Sequence, residues 1–408
     1  LVAVLGFVVG IVGCIGVESA VAEKEMKPIH SILITAMLDF TSMASVVGSF
    51  PYRYPEALAG TYAATDASAL NVQGLSCVTT FDYPTATAVS VMSPFIGLFM
   101  FCVYGALKSL VVLARGQDFK EFTSKFFRGT LIRALLFIFI LCFTSIARTS
   151  YRALLCIEVE GVSYLKGDLS VVCWSSSEHA SIVAWASLGF FQIAILPLML
   201  AALVKYRVKS GSTAENDRLT GFLYDSFRED APAWESLRLY RKALLCAVLM
   251  IDGLVLQAMT AMALITTSVV LTAMFAPFRS RLVNALDILG QLVLVYVLCM
   301  SSALFFSGNV NSSLQQSLGA VLASLIIFVV LSFIAAILVV TICKKRKEES
   351  IVSLSKEGVV VSEDELHPEK SRTASDVYLL EEADNGSIES GVQLAKAGSR
   401  ALPNTTSK

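Results

Sequence analysis

The chain has 408 residues, of which 55% are apolar and only 16% charged, with a mean hydropathy of +0.68. Soluble domains carry about 25% charged residues, so this composition excludes an ordinary water-soluble globular protein. The net charge of −1 is neutral on nucleic acid. No basic patch interleaved with aromatics lies outside the loops, so no nucleic-acid partner is expected.

Taken in order, the sequence opens inside an apolar run, Leu1-Val-Ala-Val-Leu-Gly6, without an initiating Met. It reads as a fragment that lacks an upstream extracellular domain. Apolar segments follow at 1–17, 30–50, 87–113, 130–147, 180–204, 243–257, 259–276, 284–306 and 317–343. Runs near 20 apolar residues are long enough to span a bilayer as helices. The expected fold is therefore all-α: a polytopic helical membrane protein with about nine transmembrane helices. Residues 1–29 form the first helix and a short inner loop, 30–343 the main transmembrane region, and 344–408 a disordered cytoplasmic tail. That tail is acidic, rich in Ser, Thr and Gly, and poor in residues that build a core. The sixth and seventh segments are nearly continuous, and Asp252-Gly253 with Gln257 marks the expected turn.

Orientation follows from the excess of Lys and Arg on cytoplasmic loops. The alternate loops 18–29, 114–129, 205–242 and 277–283 hold 16 Lys and Arg, against 4 in loops 51–86, 148–179, 252–258 and 307–316. The first set is placed in the cytoplasm, as is Lys344-Lys-Arg-Lys347, and the N-terminal side of the first helix is placed outside. The outer loops then hold Cys77, Cys156 and Cys173, where disulfides persist. Closing the 17-residue interval between Cys156 and Cys173 would contribute about 3 kcal/mol, and this pair is the expected bridge. Asn311-Ser-Ser313 is a candidate glycosylation site on the same side. No CxxC or Cys/His spacing suggests zinc, and no metal or cofactor is expected.

The most polar sizeable segment before residue 343 is 221–242, with long apolar runs on both sides. From Trp234 onward it reads as an amphipathic helix behind Pro232. Trp234, Glu235, Arg238, Arg241 and Lys242 form an expected interfacial collar, with basic heads in water and stems on lipid. Residues 205–242 are accordingly a candidate surface for anionic lipids. Ionisable residues inside spans are costly and mark candidate sites. Asp39, Asp287 and Gln291 are the candidates for a polar path or a coupling site, the last two lying four residues apart on one helix face. Arg133 and Asp252 sit near segment ends. No voltage-sensor repeat, potassium-filter sequence, nucleotide loop or HExxH motif occurs, and a non-enzymatic role is expected.

Several residues occur together and in order: Cys77, a span with Pro94, then Cys156…Tyr164-Leu-Lys-Gly-Asp168…Cys173…His179. Leu196-Pro197, 221–228, Trp234-Glu235 and Arg241-Lys242 follow. Over about residues 30–340 this pattern resembles the transmembrane region of the transient-receptor-potential-like, polycystin-related multi-pass proteins of fungi and protists. It departs from them at Ala233, where an aromatic is usual, and at Ala276-Pro277-Phe278-Arg279. The resemblance implies a cation channel, calcium-permeable in some relatives, or a channel-like surface sensor. It also leaves open a small-solute transporter of the flavin type and a non-conducting receptor. Such a protein would act in a plasma membrane or endomembrane, possible as a homo-oligomer.

Overall fold

The computed structural model describes residues 29–52, 54–68, 82–114, 130–210, 226–228, 230–306 and 312–356. Nine helices are described. They are α1 (Ile29–Val47), α2 (Glu56–Ser68), α3 (Tyr83–Ala114), α4 (Leu131–Arg152), α5 (Ser177–Ser210), α6 (Trp234–Ala247), α7 (Leu254–Phe275), α8 (Arg281–Phe306) and α9 (Ser312–Lys356). Leu1–Val340 makes one compact unit and Thr341–Lys408 a second.

Six helices, α3, α4, α5, α7, α8 and α9, are long and apolar enough to cross a membrane. Of the expected nine, six are of this kind among the described residues. In α1 the apolar part is only Ile32–Val47, and α6 carries Glu235, Arg238, Arg241 and Lys242 in its first turns. The segment 1–17 lies outside the described residues. Pro94 and Pro197 are accommodated within α3 and α5, as intramembrane helices permit.

Contacts between helix ends fix how the passes alternate. Tyr52, just beyond α1, donates to the Leu254 carbonyl at the start of α7 (3.4 Å) and accepts from Ser302 late in α8 (3.2 Å). Pro55 lies against Gly319 early in α9. At the opposite end the Trp234 ring faces Phe275 at 6.1 Å, and Phe227 faces Phe278 at 5.1 Å. So α6, extended by the 3-10 turn Val248–Met250, climbs from the Trp234 end to the Tyr52 end, and α7 returns. Gly253, at φ +92°, makes the reversal that the sequence placed at Asp252-Gly253. Gln257 closes it by donating to the Val248 carbonyl (3.2 Å).

The all-α expectation needs one correction. The chain between α4 and α5 folds into a three-stranded antiparallel sheet, β1 (Cys156–Val159), β2 (Val162–Leu165) and β3 (Asp168–Val172). Glu160 and Gly161 both take positive φ between the paired Val159 and Val162, the two-residue turn that suits a tight hairpin. One face of the sheet packs Leu165, Val171 and Cys173 on Ala153, Ile182 and Ala186. Two boundaries also shift. Helix α4 continues to Arg152 because nothing in Ala147-Arg-Thr-Ser-Tyr-Arg152 breaks it, and α9 runs to Lys356 through residues expected in the tail.

Candidate functional site: two buried ionic clusters on one helix

Helix α1 presents Asp39 toward the Trp234 end and Ser45 toward the sheet end, with Ser49 in the turn just beyond it. Asp39 is 2% exposed, and three cations of α6 converge on it. Lys242 Nζ lies 2.7 Å from Oδ1, Arg238 reaches Oδ2 at 3.2 Å, and Arg241 also pairs with Oδ2. Their spacing explains the arrangement: positions 238, 241 and 242 share one helix face, and that face turns inward. Arg238 is held further by Glu235 at 2.8 Å, and Arg241 donates to Ser268 of α7 at 2.7 Å. One carboxylate therefore ties α1, α6 and α7 together.

The collar expected from the sequence is corrected here. Trp234, Arg238 and Lys242 are buried, while Glu235 and Arg241 are half-buried, so the basic heads reach a carboxylate instead of water or lipid. The five collar residues do lie on one helix. The described part of the preceding segment is strapped to the α7–α8 turn. Arg228 N–H donates to the Pro277 carbonyl (2.8 Å), and Arg279 Nε donates to the Phe227 carbonyl (3.1 Å). The turn itself holds Ala276 in the left-handed region at φ +39° and is closed by Asn284, which both accepts from Phe278 N–H and donates to its carbonyl.

Asp287 and Gln291 share a face of α8 as expected, and Gln291 Nε2 donates to Asp287 Oδ2 at 2.8 Å. Both are buried. Arg241, Asp39 and Arg238 lie within electrostatic reach of Asp287, so the three candidates for a polar path or coupling site belong to one neighbourhood. Gly290 makes this possible. It lies so close to Phe40 of α1 that a Cβ there would sit 2.8 Å from the ring, bringing α8 against α1 beside Asp39.

A second cluster escaped the sequence reading. Arg148 of α4, 1% exposed, places Nη1 among Asp66 Oδ1 (2.7 Å), Ser45 Oγ (2.9 Å), Ser49 Oγ (2.9 Å) and the Ser45 carbonyl (3.2 Å). Ser45 also bonds Asp66. The sequence reading gave Arg148 to an outer loop. The signal available was the unbroken helical run from Thr144 to Arg152, in which Ser145, Arg148, Thr149 and Arg152 recur at helical spacing. Ser90 of α3 continues the polar seam, contacting Thr149 Oγ1 (3.0 Å) and Ser145 Oγ (3.3 Å). Tyr54 donates to the Val47 carbonyl (2.8 Å), and burial raises the Tyr54 and Tyr62 phenols well above their ordinary range, so both stay neutral.

The Cys156–Cys173 disulfide is formed. His179 approaches it, with Nε2 3.9 Å from Cys156 Sγ. These three side chains have metal-like proximity, but the sulfurs are bonded to each other. Trp174 N–H donates to His179 Nδ1 (3.1 Å), which leaves the ring hydrogen on Nε2, facing the bridge. The group is a staple at the base of the sheet. Asn311, Cys77 and residues 221–225 lie outside the described residues. No protein-family model, no curated protein and no solved structure matches the chain.

Proposed function

We propose that this is an integral membrane protein of the transient-receptor-potential-like kind, a cation channel or channel-like surface sensor, in which α1 couples the two ends of the bundle. One observation carries the reading: the same buried helix holds Asp39 in the collar cluster and Ser45 in the Arg148–Asp66 cluster. Six residues of helix separate them, about 9 Å. A displacement of the sheet end therefore reaches the collar through a rigid element fixed by charge at both ends. Three cations around Asp39 would repel a passing cation, so Asp39 serves coupling, and a conduction path would run elsewhere.

In this reading the basic collar end faces the cytoplasm and the disulfide-stapled sheet faces outward or into a lumen. The opposition of the basic collar and the Cys156–Cys173 bridge at the two ends supports that placement. With α1, α6 and 1–17 counted as further passes beside the six long apolar helices, the passes would number about nine. The partners would be the bilayer itself and further copies of the chain.

A small-solute transporter is the second reading, favoured by the burial of Asp287 without an ion pair among the described residues, since such carboxylates serve coupled carriers. Purified chain in liposomes separates the two. Calcium or potassium flux under bilayer tension that is altered by Asp39→Asn supports the channel, and saturable solute uptake without conductance supports the carrier. Neither flux nor uptake would overturn both.

A further inference from the structure

Among the described residues, no Lys, Arg or His makes an ion pair with the Asp287 carboxylate. It is 4% exposed, and its one hydrogen bond comes from a neutral amide, Gln291 Nε2. An isolated carboxylate in such a place is expensive unless a hydrogen-bonded cation joins it. Arg241, a cation within electrostatic reach of it, is engaged with Asp39 and Ser268, yet its Nε is buried with no acceptor among the described residues. Gln291 Oε1 is likewise buried and unsatisfied. The charged groups around Asp287 are Arg241 and Arg238 from α6 and Asp39 from α1, with Glu235 and Lys242 attached to those. Helix α7 carries no titratable side chain.

Both protonation states of Asp287 leave something uncompensated. With Asp287 neutral, three cations face the carboxylates of Asp39 and Glu235, leaving one positive charge in excess. With Asp287 ionised the cluster is neutral, but the new carboxylate has only the Gln291 amide as donor and no cationic one until Arg241 turns its free edge toward it. We propose that Asp287 is a proton-binding site whose ionised form draws Arg241 away from Asp39. Proton release to water thus loosens the collar's hold on α1, and proton uptake restores it. The inference rests on the reading of α1 as a coupling element held by the α6 collar, and it adds the ligand: a proton.

The test uses the full chain in lipid nanodiscs, with infrared difference spectra across a pH series and Trp234 emission in a Trp174→Phe/Trp185→Phe background. The expected result is a protonated-carboxyl band that grows on acidification and disappears in Asp287→Asn. Trp234 emission should titrate with the same midpoint and become pH-independent in that variant. Asp287→Glu, which keeps the acid on a longer arm, should retain the band at a shifted midpoint, and this variant decides if Asp287→Asn fails to fold. A band that survives Asp287→Asn, no titrating band, or an unshifted midpoint in Asp287→Glu would overturn the proposal. Absent ion flux alongside a titrating band would reject the channel reading and leave the proton site standing.

Discussion

Replacing Asp39 by Asn removes the carboxylate shared by Arg238, Arg241 and Lys242, while keeping the size of the side chain. Arg238 retains Glu235 and Arg241 retains Ser268, but Lys242 loses its ion-pair partner in a buried site. Breaking a buried pair from one side costs about 3–5 kcal/mol. At about 1.4 kcal/mol per tenfold, the folding equilibrium falls by two to three and a half powers of ten. The damage should be partly reversible, because much of it is the penalty of stranded cations. Asp39→Asn combined with Arg241→Gln should be less destabilised than the sum of the two single changes, with a coupling of about 0.5–3 kcal/mol. Reversible unfolding of the reconstituted protein by steric trapping measures all four species. An Asp39→Asn loss below about 0.5 kcal/mol, the range of ordinary surface changes, or strict additivity with Arg241→Gln, would refute the clasp.

Two further changes probe how the cluster is placed. Gly290→Ala sets a Cβ against the Phe40 ring, which forces α8 from α1 and should cost about 1–3 kcal/mol in the same unfolding assay; a neutral result would mean that the helices are not in close contact there. Reducing the Cys156–Cys173 bridge should remove about 3 kcal/mol from the local stability of the sheet. Hydrogen exchange should quicken in 156–173, and non-reducing peptide mapping should link the two cysteines directly.

Much of the bundle was legible because membrane burial writes itself into hydropathy. The segments at 87–113, 130–147, 180–204, 259–276, 284–306 and 317–343 each correspond to a long apolar helix. The reversal at Gly253 was visible because it needs a residue that tolerates positive φ. The direction of the α6 charges was not legible. Amphipathic spacing says that Arg238, Arg241 and Lys242 share a face, but the same pattern serves a helix lying on lipid or one pressed against a buried Asp. Asp39 lies almost 200 residues away in sequence, and only packing brings it there. The sheet was hidden for a different reason: its strands are four or five residues long and their alternation is weak beside the apolar runs. Arg148 and Asp66 fell into loops because the apolar runs end before them, and the end of an apolar run does not register whether a helix continues through polar residues.

The relay along α1 is tested most directly by hydrogen exchange in α6 after a change at the opposite end. Arg148→Gln disrupts the Ser45–Ser49–Asp66 cluster without touching any collar residue. Coupling through α1 predicts faster exchange in the collar turns 234–242 of α6, beyond the Cys246 end that lies within electrostatic reach of Arg148, as well as around Arg148 itself. Faster exchange confined to α2 and the C-terminal turns of α1 and α4, with α6 unchanged, would contradict it.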